Sequence, residues 1–99
     1  MSKHIRIEID NLKKAILTLG AAVEESLNKA VKALEDRDVA LAGEVIDGDP
    51  DIDRMEVELE EDCLKVLALH QPVAIDLRLI ISILKINSDL ERVGDLSVN

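Results

Sequence analysis

Glu91 and Asp95 stand four residues apart in a stretch whose apolar spacing is helical, which puts their carboxylates one turn apart on one face. Cβ atoms so placed are about 5 to 6 Å apart, close enough for the pair to chelate one cation or bridge two. With Leu84 as reference, Val73, Leu77, Ile80 and Leu84 share a face, and that face continues through Asn87, Glu91, Asp95 and, further off centre, Asn99. Oxygen ligands thus replace apolar groups where a core stripe should go on. Either the carboxylates are solvated and held by neighbours such as Arg92, or a cation sits against them. An all-oxygen set suits magnesium, calcium, manganese or iron better than zinc or copper.

The segment before this stretch is strongly acidic. Residues 38–70 hold 11 acidic and 2 basic groups, against near balance on either side, so they carry the chain's whole excess of −9. Asp47/Asp51, Asp49/Asp53, Glu56/Glu60 and Glu58/Asp62 are like-charge pairs at helical spacing. Without counterions such pairs cost roughly 1 to 2 kcal/mol together, which a cation or a basic partner would relieve. Solvation of an acidic face explains the same composition.

Other chemistries lack their residues. The chain has no G-x-S-x-G, no G-x-x-x-x-G-K-[ST] and no G-x-G-x-x-G. A di-iron carboxylate centre needs Glu-x-x-His pairs, and neither His4 nor His70 has a glutamate three residues before it. Cys63 falls on a helical stripe and reads as inert packing. Arg78, near the start of a helix whose dipole disfavours it, is expected to pair with a carboxylate of the preceding helix or to await a partner. No catalytic machinery is visible, so an enzyme is the least supported class.

Three helices must position these groups. In the first, about 4–36, Ile5, Ile9, Leu12, Ile16, Leu19, Val23, Leu27, Ala30 and Leu34 recur at spacings of 3 and 4, with Lys and Glu elsewhere. Gly20 is tolerated within it and marks a place where another helix could approach closely. Asp38 caps a second helix, 39–70, whose stripes Leu41/Val45/Ile46 and Ile52/Met55/Leu59/Cys63/Val66 are separated by Gly48-Asp49-Pro50. That tripeptide reads locally as a stop and restart, with a kink or break at 48–50. Pro72 opens a third helix, 72–99, which carries a second apolar stripe, Leu79, Ile83, Ile86, Leu90 and Val93, and so needs burial on two faces. It has no stop signal before Asn99, and its truncation at the C-terminus is expected. The fold class is all-α, an antiparallel up-down-up three-helix bundle forming a single domain over 1–99.

Composition agrees and excludes alternatives. At 47% hydrophobic residues the chain is too apolar for disorder, and with no Phe, Tyr or Trp it lacks base-stacking platforms. A pI near 4.6 opposes phosphate backbones, so nucleic acid is not an expected partner. One cysteine forbids an internal disulfide and fits a reducing, cytoplasmic setting. The longest apolar runs, such as Val66 to Leu69, are four residues, too short to span a bilayer.

Three blocks carry a family resemblance: DIDRMEVELEEDCL from Asp51, ALHQPVAIDLR from Ala68, and KINSDLERVGD from Lys85. In this order, over about half the chain, they closely resemble the PhoU family of phosphate-signalling regulators. The resemblance implies a cytoplasmic, spectrin-like helical protein of two tandem three-helix repeats, of which this chain covers most of the first. It implies negative regulation of phosphate-starvation genes through contact with a phosphate ABC transporter ATPase and a sensor histidine kinase, the membrane being reached only through such partners. The family's E/D-x-x-x-D metal motif maps onto Glu91 and Asp95, with Asn99 one turn on, and implies a divalent or trivalent ion such as iron, magnesium or manganese. In the family the second helix is continuous where this chain has Gly48-Asp49-Pro50. The stripe Ile83, Ile86, Leu90 and Val93 lacks cover from a second repeat, so self-association, as a homodimer or larger homo-oligomer, is expected. The alternatives are a structural or oligomerisation bundle without metal function, or an accessory domain of a transporter or channel.

Overall fold

A computed structural model describes residues 3–98, and they form α1 (Lys3–Asp36), α2 (Val39–His70) and α3 (Ala74–Val98), with no strand among the described residues. Each helix is amphipathic and packs against the other two, giving the expected all-α three-helix bundle. At about 1.5 Å per residue the longest helix spans about 50 Å, which matches the 53 Å long axis of the molecule.

The turns are made by capping. Arg37 is left-handed at φ 53°, and the Asp38 N–H reaches back to the Ala33 carbonyl at 2.9 Å, closing α1 in a Schellman arrangement. Asp38 then caps α2, its Oδ1 accepting from the Leu41 N–H at 3.0 Å. At the other end Gln71 takes the left-handed conformation at φ 46° and donates to the Leu67 carbonyl. α3 starts at Ala74 rather than at Pro72.

Ile5, Ile9, Leu12, Leu19 and Val23 of α1 meet Leu59, Cys63 and Val66 of α2 and Ile80 and Ile83 of α3 in one core. Two details differ from the sequence pattern. The α1 seam keeps strict heptad spacing past Val23, so Ala33 is buried while Leu27 and Leu34 are exposed. Gly20 marks no close approach, because a Cβ there would meet nothing within 4 Å.

The expected break at Gly48-Asp49-Pro50 does not occur; α2 is helical from Val39 to His70 with Pro50 inside it. The reason lies in the seam. Val45, Ile52, Leu59 and Val66 recur every seven residues, so both halves of α2 bury the same face in one phase. A restart would have shifted that phase. The carbonyl that Pro50 leaves without its helical partner belongs to exposed Ile46, on the solvated side.

Candidate functional site

The α2 seam runs Val45, Asp49, Ile52, Glu56, Leu59, Cys63, Val66, alternating steps of four and three. Two of its seven positions are carboxylates. Glu56 is 5% exposed and Asp49 is half-buried, so the seam that should be apolar turns acidic on α2. Opposite stands Asn87 of α3, also 5% exposed, at the seam position following Ile80 and Ile83. Its Nδ2 donates to the Glu56 backbone carbonyl at 2.9 Å, joining the two helices inside the core. Two further polar atoms of this layer, Glu56 Oε2 and Asn87 Oδ1, are shielded from solvent and have no hydrogen-bond partner.

The electrostatics around this layer are uniformly negative. Burial pushes the Glu56 carboxyl up from 4.5 to about 7, with Glu91, Asp53 and Asp95 adding repulsion and Asp53 a hydrogen bond. Burial likewise raises Asp49, assisted by the charge and hydrogen bond of Asp53 and by the charge of Asp95. Five carboxyl groups from two helices, Asp49, Asp53, Glu56, Glu91 and Asp95, therefore act on one another. The nearby arginines are engaged elsewhere: Arg54 pairs with Asp51 and Arg92 with Asp89, each along its own helix. Among the described residues no ion pair joins α2 to α3. As the side chains stand, no three carboxylate, histidine or cysteine groups among the described residues converge in metal-holding geometry.

Glu91 and Asp95 lie beside the α3 seam rather than on it. Both are exposed, and at their level the buried position is Gly94, with Leu90 half-buried. Continuing the Leu84 face placed them in the core because Leu84 itself is only half-buried; the true seam is Ile80, Ile83, Asn87, Leu90 and Gly94. Of that projected face Asn87 alone of the polar residues is buried, and Asn99 lies outside the described residues. Asp49, Asp53 and Glu56 were not singled out by the sequence reading beyond their like-charge pairing. The signal was the seven-residue phase of α2, which assigns Asp49 and Glu56 to its seam.

Other candidates resolve simply. Cys63 is fully buried, and burial first, then Asp62 and Glu60, pushes its thiol up to about 11, which leaves it protonated and inert. His70 closes α2 with its Nε2 against Glu8 Oε2 of α1. The carboxylate partner expected for Arg78 is not found: among the described residues none lies within ion-pair distance of it, and its own carbonyl accepts from the Ser82 hydroxyl at 2.8 Å. Of the second apolar stripe, Ile83 is buried and Leu79 and Leu90 are half-buried, which leaves Ile86 and Val93 exposed; Leu17 of α1 is exposed as well.

Fold and polar layer define the class as an aromatic-free three-helix bundle with a carboxylate-rich seam between its second and third helices. The PhoU domain family matches residues 16–99, and the chain belongs to that family. It is similar to the phosphate-specific transport system accessory protein PhoU of Serratia marcescens, 40% identical over 98% of this chain and 42% of the relative. The Aquifex aeolicus PhoU homologue is 46% identical over 93% of this chain and 42% of its own length. The Pseudomonas aeruginosa homologue is 44% identical over 96% of this chain and 39% of its own length. The chain thus spans about two-fifths of the length of these relatives. No solved structure matches it.

Proposed function

We propose that the chain is a regulatory domain of phosphate uptake and phosphate-starvation signalling that works by binding rather than catalysis. The observation that carries this is family membership across 16–99, with relatives named as accessory proteins of the phosphate-specific transport system. The partners are a phosphate ABC transporter ATPase and a sensor histidine kinase, and the setting is cytoplasmic. No described helix is long and apolar enough to cross a membrane, so contact with the bilayer would run through such partners.

The carboxylates of α2 and α3 are the binding feature we assign to a metal ion, with Glu91 and Asp95 on one helix and Asp49 and Asp53 on the other. Two buried acceptor oxygens without donors, and carboxyls at Asp49 and Glu56 pushed above their usual range by burial and neighbouring carboxylates, support a missing positive charge. An all-oxygen donor set favours iron, magnesium or manganese. Such an ion would offset carboxylate repulsion and tie α2 to α3. Co-purification tests the function: the tagged chain should retain the transporter ATPase or the sensor kinase in an all-cell lysate, and Glu91→Ala/Asp95→Ala should weaken that retention. Retention of neither partner would overturn the adaptor assignment.

A second function, an oligomerisation bundle, is favoured by the exposed apolar residues Leu17, Ile86 and Val93 on α1 and α3. Light scattering decides it, since a concentration-dependent dimer is expected and a monomer at millimolar concentration would count against it.

A further inference from the structure

The surface carboxylates do not account for what lies beneath them. A glutamate and an asparagine occupy adjoining seam positions of α2 and α3, each 5% exposed, and each keeps one acceptor oxygen with no donor. The asparagine amide donates one of its two N–H groups to the Glu56 backbone carbonyl, which fixes its orientation. Buried acceptors left unmatched forfeit their hydration with nothing in return, so such atoms call for an occupant. The side chains acting on Glu56 are the carboxyl groups of Glu91, Asp53 and Asp95, and beside the hydrogen bond with Asp53 its Oε2 keeps no partner. Neutral apolar residues would satisfy the seam more simply, as they do one heptad on, where Cys63 takes the place of Glu56.

We propose that Glu56 Oε2 and Asn87 Oδ1 form the buried inner end of the carboxylate site and ligate an oxygen-seeking cation from the core side. This rests on the assignment of a metal ion to Glu91, Asp95, Asp49 and Asp53, and adds two ligands that the surface motif does not contain. Because Glu56 and Asn87 belong to different helices and are wedged between core residues, the ion so held is coupled to the packing of α2 on α3. Occupancy then bears on the bundle itself and not only on its surface charge.

Titration of the chain with Mn²⁺ by calorimetry, with melting followed by circular dichroism, tests this. Glu56→Gln preserves shape and removes one anionic ligand; Asn87→Leu preserves net charge and removes the amide oxygen. Affinity should fall about tenfold or more in each, a loss of the size seen when metal-site partners are removed. The Mn²⁺-induced rise in melting temperature should shrink with it. Asn87→Asp, which keeps an oxygen at the position, should retain binding. A loss in Asn87→Leu cannot be electrostatic at long range, since its charge is unchanged. Affinity within twofold of the parent in either Glu56→Gln or Asn87→Leu overturns the inner site, and it leaves the surface assignment standing if Glu91→Ala/Asp95→Ala still abolishes uptake. No Mn²⁺ uptake by the parent chain overturns both.

Discussion

Replacing Glu56 by glutamine should stabilise the cation-free bundle at neutral pH and leave it unchanged in mild acid. Burial, reinforced by Glu91, Asp53 and Asp95, raises the Glu56 carboxyl from 4.5 to about 7. The folded state therefore holds a proton that the unfolded state has released between about pH 4.5 and 7. With the native state binding more protons, stability falls as pH rises through that window and levels off above it. A rise of this size corresponds to about 3 kcal/mol, most of it from burial, and salt screens the smaller share that the exposed carboxylates add, leaving about 2 kcal/mol or more. Glutamine has the same shape, does not titrate, and offers an N–H to Asp53. The stability gap between Glu56→Gln and the parent should open from near zero at pH 4.5 to about 2 kcal/mol above pH 7, or roughly 10 °C in melting temperature for a chain of this size. The raised Asp49 acts in the same direction, so the variant keeps a weaker pH dependence of its own. Since the chain has no Phe, Tyr or Trp, circular dichroism at 222 nm in EDTA is the assay. Parallel curves for parent and variant across this range would refute the placement of Glu56 in a low-dielectric, anionic layer.

Other substitutions test the fold. Gly20→Ala should raise stability by about 0.5 to 1 kcal/mol in thermal melts, because the added methyl meets nothing and the helix interior gains propensity. Arg37→Gly should stabilise by about 1 kcal/mol in urea denaturation by relieving a left-handed backbone at a helix end. Pro50→Ala should add about 1 to 3 kcal/mol by restoring the N–H donor to the Ile46 carbonyl in an unbroken helix; a loss of stability would show that Pro50 begins a new helix after all. Ile86→Glu with Leu17→Glu should dissociate any dimer seen by sedimentation without lowering the melting temperature by more than a few degrees, as both residues are exposed.

The three helices were legible because apolar spacing and capping residues agree: Asp38 caps α2, and Pro72 stands between α2 and α3. What misled was local chemistry weighed without phase. Gly48-Asp49-Pro50 has every sign of a helix boundary, yet Val45, Ile52, Leu59 and Val66 keep one heptad phase across it, and burial of a continuous seam outweighs one missing hydrogen bond. Projecting the Leu84 face put Glu91 and Asp95 in the core, whereas the acidic seam residues are Asp49 and Glu56, and the α3 carboxylates flank them. Periodicity within α3 showed that something polar sits there, but only the packing of α2 on α3 shows which carboxylates share it. The orphaned oxygens of Glu56 and Asn87 exist only in three dimensions, so no spacing rule could have found them.

Anomalous diffraction from crystals of the Mn²⁺-soaked chain, recorded at the manganese edge, tests the central claim most directly. The expected result is a peak between α2 and α3 within coordination distance of carboxylate oxygens from both helices, with Glu91 and Asp95 among them. A peak confined to other carboxylates, or none at a manganese concentration that saturates solution binding, would contradict it.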